Sequence, residues 1–499
     1  MTHRSNVREA ARGTGLILVG VLVGQALEYG VRFALARGLG PDGFGAFSQA
    51  RALFLSMAAF ASLGLGLGVK RFVTHERHAG REALARRAYR DGSRATVVSS
   101  VAGGALLFAL AEPLAEAFRN PDLVAAIRVL AFGVPFFVGL EYITRVAEAF
   151  RSFRPSVVAR FLLEPALRFV SMVSLLAFGA SLSVLFGALV ASSAIAFVVA
   201  VILARRLDGL RETGDTAAPS QLGALLRFSL PLSMAGALFG FAERVDVLMI
   251  GLYRPEADVG LYAAASAISR IPLLLAAAMM PVFSTLAAEA VGRGDHAEIG
   301  RLLRLACRWM LIFALPLLVA ATLYADGALG MLFGREYASA APTLRWLVLA
   351  YTLPVLAGPV GLLLDALGKT HWSLGNMIVR TALNVALNAV LIPRWGISGA
   401  AIATCAALAI TIVLLRLQLG GLMDLGRTYA DWTRPLAVLA VAAAVSFGVA
   451  SSVPDVVLSS LVGGVVLLAV FAAGMRFVPG CLREGDLEVV ASLRARLGK

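Results

Sequence analysis

The chain has 499 residues, 59% apolar and 15% charged, with a formal net charge of +14 and a mean hydropathy of +0.82. Soluble domains run at about 45–50% apolar and about 25% charged, so this composition leaves no polar shell and makes lipid the main solvent. The apolar runs do not alternate, which argues against barrel strands. The basic excess is carried by loops without an aromatic-interleaved patch, which argues against a nucleic-acid partner.

A bilayer core about 30 Å thick takes roughly 20 apolar residues per helix. By that measure the sequence reads as an all-α membrane protein of about fourteen spans. They lie near 14–36, 44–69, 95–118, 123–149, 158–178, 182–204, 222–252, 260–289, 303–326, 342–367, 374–393, 397–419, 434–452 and 456–478. The first run, from Leu16, is longer than the apolar core of a leader peptide and carries Glu28 and Arg32, so it reads as a span.

The connections alternate in basic content. One side holds thirty Lys/Arg, from the N-terminus (Arg4, Arg8, Arg12) through the 70–94 loop to Lys499. The other holds five: Arg37, Arg119, Arg254, Arg335 and Arg394. The positive-inside bias therefore puts both termini in the cytoplasm of a cytoplasmic-membrane protein. "LARGLGPDGFGAF" (35–47) becomes an outer hairpin, where Gly and Pro allow two helices to reverse tightly.

That hairpin has an echo about 215 residues on, "IGLYRPEADVGLY" (250–262). "LAFGVPF" (130–136) returns as "LAYTLPV" (349–355), and "FGALVASSAIA" (186–196) as "SGAAIATCAAL" (398–408). Matches in register and in order make spans one to six and seven to twelve a parallel repeat, with a substrate site between lobes that alternate access. The expected organisation is 1–13 cytoplasmic N-terminus, 14–215 first lobe, 216–430 second lobe, 431–478 two added spans and 479–499 cytoplasmic tail.

Several features carry no chemistry. Cys307, Cys405 and Cys481 are too far apart for a metal spacing or a disulfide framework. "GKT" at 368–370 lacks the Gly that a phosphate loop needs five residues before its second Gly; that position is Leu363. "HERH" (75–78) sits in the most basic loop with no third ligand nearby and reads as a solvated face. No cofactor or metal is expected, and the short outer loops speak against a glycan polymerase or ligase.

The informative residues are ionisable groups inside spans, which are expensive in lipid and mark function. The outer-half group is Glu28, Arg32, Arg51, Glu243, Arg244 and Asp246. The inner-half group is Glu141, Arg145, Glu148, Glu164, Arg168, Asp365 and Arg380, and Arg270 lies near the midplane. Glu28/Arg32, Glu141/Arg145 and Glu164/Arg168 share the i,i+4 spacing that puts both groups on one helix face, so each pair can neutralise itself. Arg51 and Arg270 have no carboxylate at that spacing. Overlaying Gly45 on Gly260 puts Arg51 opposite Ser266, with Arg270 one turn deeper on the same face. They suggest a cationic cleft and are the leading candidates for substrate binding, with Arg32 and Arg244 in support. Asp246, Glu243, Glu28, Glu164, Arg168, Asp365 and Arg380 are the candidates for gating or coupling to H+ or Na+. Arg32 or Arg51 is expected to pair with Asp246 or Glu243 in the inward-facing state.

"LARxLGPxxFGxF", "DxxxIGxYxxxxxVGxY" (Asp246 to Tyr262) and "LFGxEYxxAxPxLRxL" (332–347), in that order, resemble the Wzx-like oligosaccharide flippases of the multidrug/oligosaccharidyl-lipid/polysaccharide superfamily. The resemblance covers nearly the whole chain. It implies a MATE-like fold and transfer of a polyprenyl-linked oligosaccharide from the inner to the outer leaflet, with membrane lipid and glycan polymerases or glycosyltransferases as partners. It also sets Asp246 on the Asp of the family pattern. A MATE-type drug/cation antiporter, favouring acids over Arg in its cleft, and a lipid II flippase are the alternatives.

Overall fold

The computed structural model describes residues 2–207, 218–357, 360–420 and 432–478. The tail 479–499 with Cys481, and the loop residues Arg211 and Arg427, fall outside them. All regular elements among the described residues are helical. Eight helical stretches are long and apolar enough to cross a membrane, or nine if one bent pair counts as a single span.

Two of these stretches fold back on themselves. Helix α1 (Thr2–Ala61) loses helical geometry at Gly40, where φ is 67°, and resumes at Pro41. A left-handed φ is cheap only for Gly. The Glu28 and Arg51 side chains meet at 2.9 Å, so the two arms run back along each other about that point. This is the hairpin expected from "LARGLGPDGFGAF".

Three expected spans are broken instead of continuous. The span expected at 44–69 ends its first helix at Ala61 and restarts as α2 (Leu65–His78). The third bends by 50° between α3 (Glu82–Ala109) and α4 (Ala111–Ala117). After α5 (Leu123–Ala149), the chain enters a π-helical segment, Ser156–Leu163, then α6 (Glu164–Ala177) and α7 (Leu182–Ala204). The seventh divides at Glu243–Arg244 into α8 (Leu222–Ala242) and α9 (Val245–Tyr253). Breaks of this kind free backbone polar groups and are tolerated in lipid only where protein or water covers them.

The chain forms two compact units, meeting in sequence at Ala263/Ala264, within α10 (Glu256–Gly292). In the first unit, the start of α10 lies against the second arm of α1, just past its reversal. A Cβ on Gly45 would overlap the Glu256 carbonyl oxygen, and one on Gly260 would overlap the Pro41 carbonyl oxygen. On the polar half of α3, before its apolar stretch, Asp91 takes the Gln221 N–H (2.8 Å) and the Ser220 hydroxyl (2.9 Å) at the entry to α8. Burial opposes its charge, but these two donors and Arg87 outweigh that and hold the carboxyl below the usual aspartate value.

The second unit holds α11 (His296–Leu323), α12 (Ala325–Leu332), α13 (Ala341–Ala357), α14 (Val360–Ala366), α15 (Thr370–Gly420), α16 (Thr433–Ala450) and α17 (Val456–Phe477). Its core joins Cys307 and Leu311 to Leu364, Leu419, Ala442 and Leu467, so the two added spans are built into it. Helix α15 reverses at Gly396, and its arms are tied by Asn376–Gln418 and Asn384–Thr404 hydrogen bonds.

Candidate functional site

Hairpin α1 brings Glu28 and Arg51 face to face, and α6 packs beside it. Arg168, on α6, reaches Glu28 with one guanidinium nitrogen and Glu164 with the other, the latter at 2.6 Å. Ser193 of α7 donates to Glu164 at 2.8 Å. The result is a chain Arg51–Glu28–Arg168–Glu164–Ser193 across three helices, with both Arg168 and Glu164 buried. Arg32 and Arg244 are close enough to act electrostatically on Arg51. Arg51, Arg168 and Arg32 thus stand with two carboxylates, one positive charge in excess, while Arg244 shares its helix break with Glu243 and Asp246. Inside lipid such a surplus is expensive unless an anion meets it.

This network corrects three expectations. Arg51 is ion-paired, because the hairpin supplies from 23 residues away the carboxylate that local spacing lacks. Glu164 and Arg168 do not form a separate inner group; counting residues fixes Cα depth, and long side chains close the remaining gap. Of the three i,i+4 pairs only Glu164/Arg168 closes. Arg145 turns to Glu148 (3.4 Å), and the nearest cation to Glu141 is Arg160 at 4.0 Å. Glu28 is taken by Arg51 and Arg168, while Arg32 lies over the Tyr29 ring, 5.3 Å from its centroid.

Asp246 sits in the first turn of α9, just past the break at Glu243–Arg244. It is buried and accepts the Tyr262 hydroxyl at 2.6 Å. Arg244 donates to the Gly240 carbonyl oxygen. The pairing of Arg32 or Arg51 with Asp246 or Glu243, expected for the inward-facing state, is not among the ion pairs of the described residues. Glu141 also lines a cavity of about 180 Å³ at the 61–65 break, with Ser62, Thr96, Tyr142 and Ser233.

In the second unit, Arg270 lies over the Tyr351 ring at 5.2 Å. Asp365 is exposed and accepts from Ser373 at 2.7 Å, and Arg380 is half-buried on α15. Sequence reasoning missed Ser193, Tyr262 and Tyr351. Tyr262 was visible as the aromatic closing the repeated motif; a Ser or Tyr within an apolar run gives no comparable sign.

A family model described as polysaccharide biosynthesis protein matches residues 34–342. A probable low-salt glycan biosynthesis flippase of Haloferax volcanii is 24% identical over 197 residues, covering 38% of this chain and 39% of that one. The chain thus spans well under two thirds of that relative. The succinoglycan biosynthesis transport protein of Rhizobium meliloti is 25% identical over 359 residues, covering 70% and 68%. Among solved structures, the lipid II flippase MurJ in an inward closed conformation superposes with a TM-score of 0.72 at 12% identity, covering 92% of this chain and 99% of that one. An inward-facing multidrug resistance MATE family transporter superposes with a TM-score of 0.66 at 16% identity, covering 82% and 99%. At such identities these two likenesses establish the fold, which is MATE-like.

Proposed function

The chain belongs to the polysaccharide biosynthesis protein family, and from that premise we propose that it is a lipid-linked oligosaccharide flippase. It moves a polyprenyl-(pyro)phosphate-linked oligosaccharide across the cytoplasmic membrane by alternating access, for surface polysaccharide or glycoconjugate synthesis, with both termini in the cytoplasm. The names of the two curated relatives support this reading, and so does the chemistry of the first unit.

The observation that carries it is the cationic surplus around Arg51. A cationic drug would be repelled by that surplus, whereas a phosphate or diphosphate would be drawn to it. Arg51 offers its planar fork to the phosphate, and Glu28 holds that fork in place. Arg270 is proposed as a further substrate-binding residue. Asp246, Glu243, Asp365 and Arg380 are proposed to gate or couple the movement to H+ or Na+. The sugar crosses with its carrier intact, so no bond is made or broken.

The test is leaflet transfer of a fluorescent polyprenyl-diphosphate sugar in liposomes holding the purified chain. Arg51→Ala is expected to slow transfer at least about tenfold, the effect of about 1.4 kcal/mol. Arg51→Lys is expected to recover part of it, since Lys keeps the charge but not the fork. Transfer by Arg51→Ala at the wild-type rate would remove Arg51 from the site.

A further inference from the structure

Helix α2 has two faces. Leu65, Val69, Val73 and Glu76 are buried, three of them in a core with Ala85, Val146 and Leu225. The other stripe is Leu67, Lys70, Arg71, Thr74, His75 and His78. Its spacing of 3, 1, 3, 1 and 3 is that of a single helix face. No apolar partner fits these residues, and together they line a groove of about 510 Å³.

The groove is prepared for an anion. The Arg71 guanidinium lies over the Phe228 ring, 4.2 Å from its centroid, which fixes its plane and leaves its N–H edges for a ligand. Lys70 is held by Glu148 at 2.7 Å, and Glu148 is itself held by Ser156 at 3.0 Å. The His78 Nδ1 donates to the Thr74 carbonyl oxygen at 2.7 Å, which orients the ring and leaves Nε2 available. His75 stands one turn from Arg71.

The order along the stripe also matters. It runs from exposed Leu67 through Lys70 and Arg71 to Thr74, His75 and His78, roughly 16 Å along the axis. That order is apolar, cationic, then hydrogen-bonding. A lipid-linked sugar has the same order: hydrocarbon, phosphate, hydroxyls. We propose that this face of α2 is a docking site for a membrane-borne phosphate, namely the diphosphate of the lipid-linked substrate before it enters the spans. The identity of the ligand rests on the flippase reading; the site itself rests on the groove. A phospholipid headgroup shares the chemistry but carries a single phosphodiester, and the stripe offers donors over two turns.

The experiment uses the full chain in nanodiscs of phosphatidylcholine and measures binding of radiolabelled farnesyl diphosphate. The triple variant Arg71→Ala, His75→Ala, His78→Ala is expected to bind about tenfold more weakly and to raise KM for leaflet transfer with kcat little changed. These side chains are exposed, so unchanged thermal unfolding of the variant serves as the folding control. Equal affinity of wild type and triple variant would overturn the proposal. So would loss of farnesyl diphosphate binding in discs doped with phosphatidylglycerol, which would assign the groove to bulk lipid. If the wild type moves no lipid-linked sugar yet the triple variant still loses binding, the flippase reading fails and the docking site stands. If the wild type moves sugar and the triple variant binds normally, only the docking site fails.

Discussion

Gly45 and Gly260 touch each other through their backbones. A Cβ on Gly45 would come within 3.0 Å of the Gly260 nitrogen, and one on Gly260 within 3.1 Å of the Gly45 nitrogen. Their other contacts are reciprocal: Gly45 against the carbonyl of Glu256, Gly260 against that of Pro41. Glu256 is the repeat equivalent of Pro41, and Gly260 that of Gly45, both at an offset of 215. The echo first visible as a motif is therefore also a local two-fold contact between equivalent helix starts. Any side chain at either position drives these backbones apart.

Gly45→Ala and Gly260→Ala are each expected to destabilise the chain by at least about 1–3 kcal/mol, the range for overpacking a tight contact. Thermal unfolding in detergent measures this. Because both act on one contact, the double variant is expected to cost less than the sum of the singles. Two additive, small effects would mean that the helices part easily there.

Arg168→Ala is expected to be more damaging to stability than Arg51→Ala. It leaves Glu164 with only the Ser193 hydroxyl, while Glu28 keeps Arg51; loss of Arg51 leaves both carboxylates with Arg168. Breaking a buried pair by removing one partner costs about 3–5 kcal/mol. Adding Glu164→Gln to Arg168→Ala should restore part of the stability, read as a rise in Tm. No recovery would show that Glu164 does not carry a buried charge there.

Asp246 and Tyr262 bear on coupling. Tyr262→Phe removes the hydroxyl donor and is expected to cost about 1–3 kcal/mol. If Asp246 also couples transport to an ion, Asp246→Asn is expected to flatten the pH dependence of leaflet transfer. A pH response identical to wild type would leave Asp246 with a structural role alone.

Asp91 clasps the start of α8. Its carboxyl lies below the usual value, so its stabilisation is fully present above the unfolded value of about 3.9 and lost as pH falls through the lower folded value. Asp91→Asn is therefore expected to lower Tm at pH 7, and the gap to wild type should close in acid. A gap that persists in acid would point to packing instead of charge.

The all-helical membrane fold and the reversal at 35–47 were legible because lipid demands long apolar runs and Gly-Pro marks a turn. The helix break at Ser62–Gly64 was not, since apolarity resumes at once beyond it, and the one at Glu243–Arg244 was not, since its charges read as groups inside a continuous span. The charged residues of the site were legible individually, as costly groups in lipid. Their wiring was not: spacing reveals partners four residues apart, and the Glu28–Arg51 and Glu28–Arg168 pairs lie 23 and 140 residues apart.

The amide pairs on α15 have a mechanical consequence. Asn376 and Gln418 exchange two hydrogen bonds, at 2.7 and 2.9 Å, and Asn384 meets Thr404 two turns closer to the reversal. Sliding one arm by a single residue would rotate it by about 100° and unmake both rungs together. The hairpin is thereby locked in register and can travel only as one stiff rod. Whatever rearrangement the second unit undergoes during transport must be taken up at the ends of this rod, not along it.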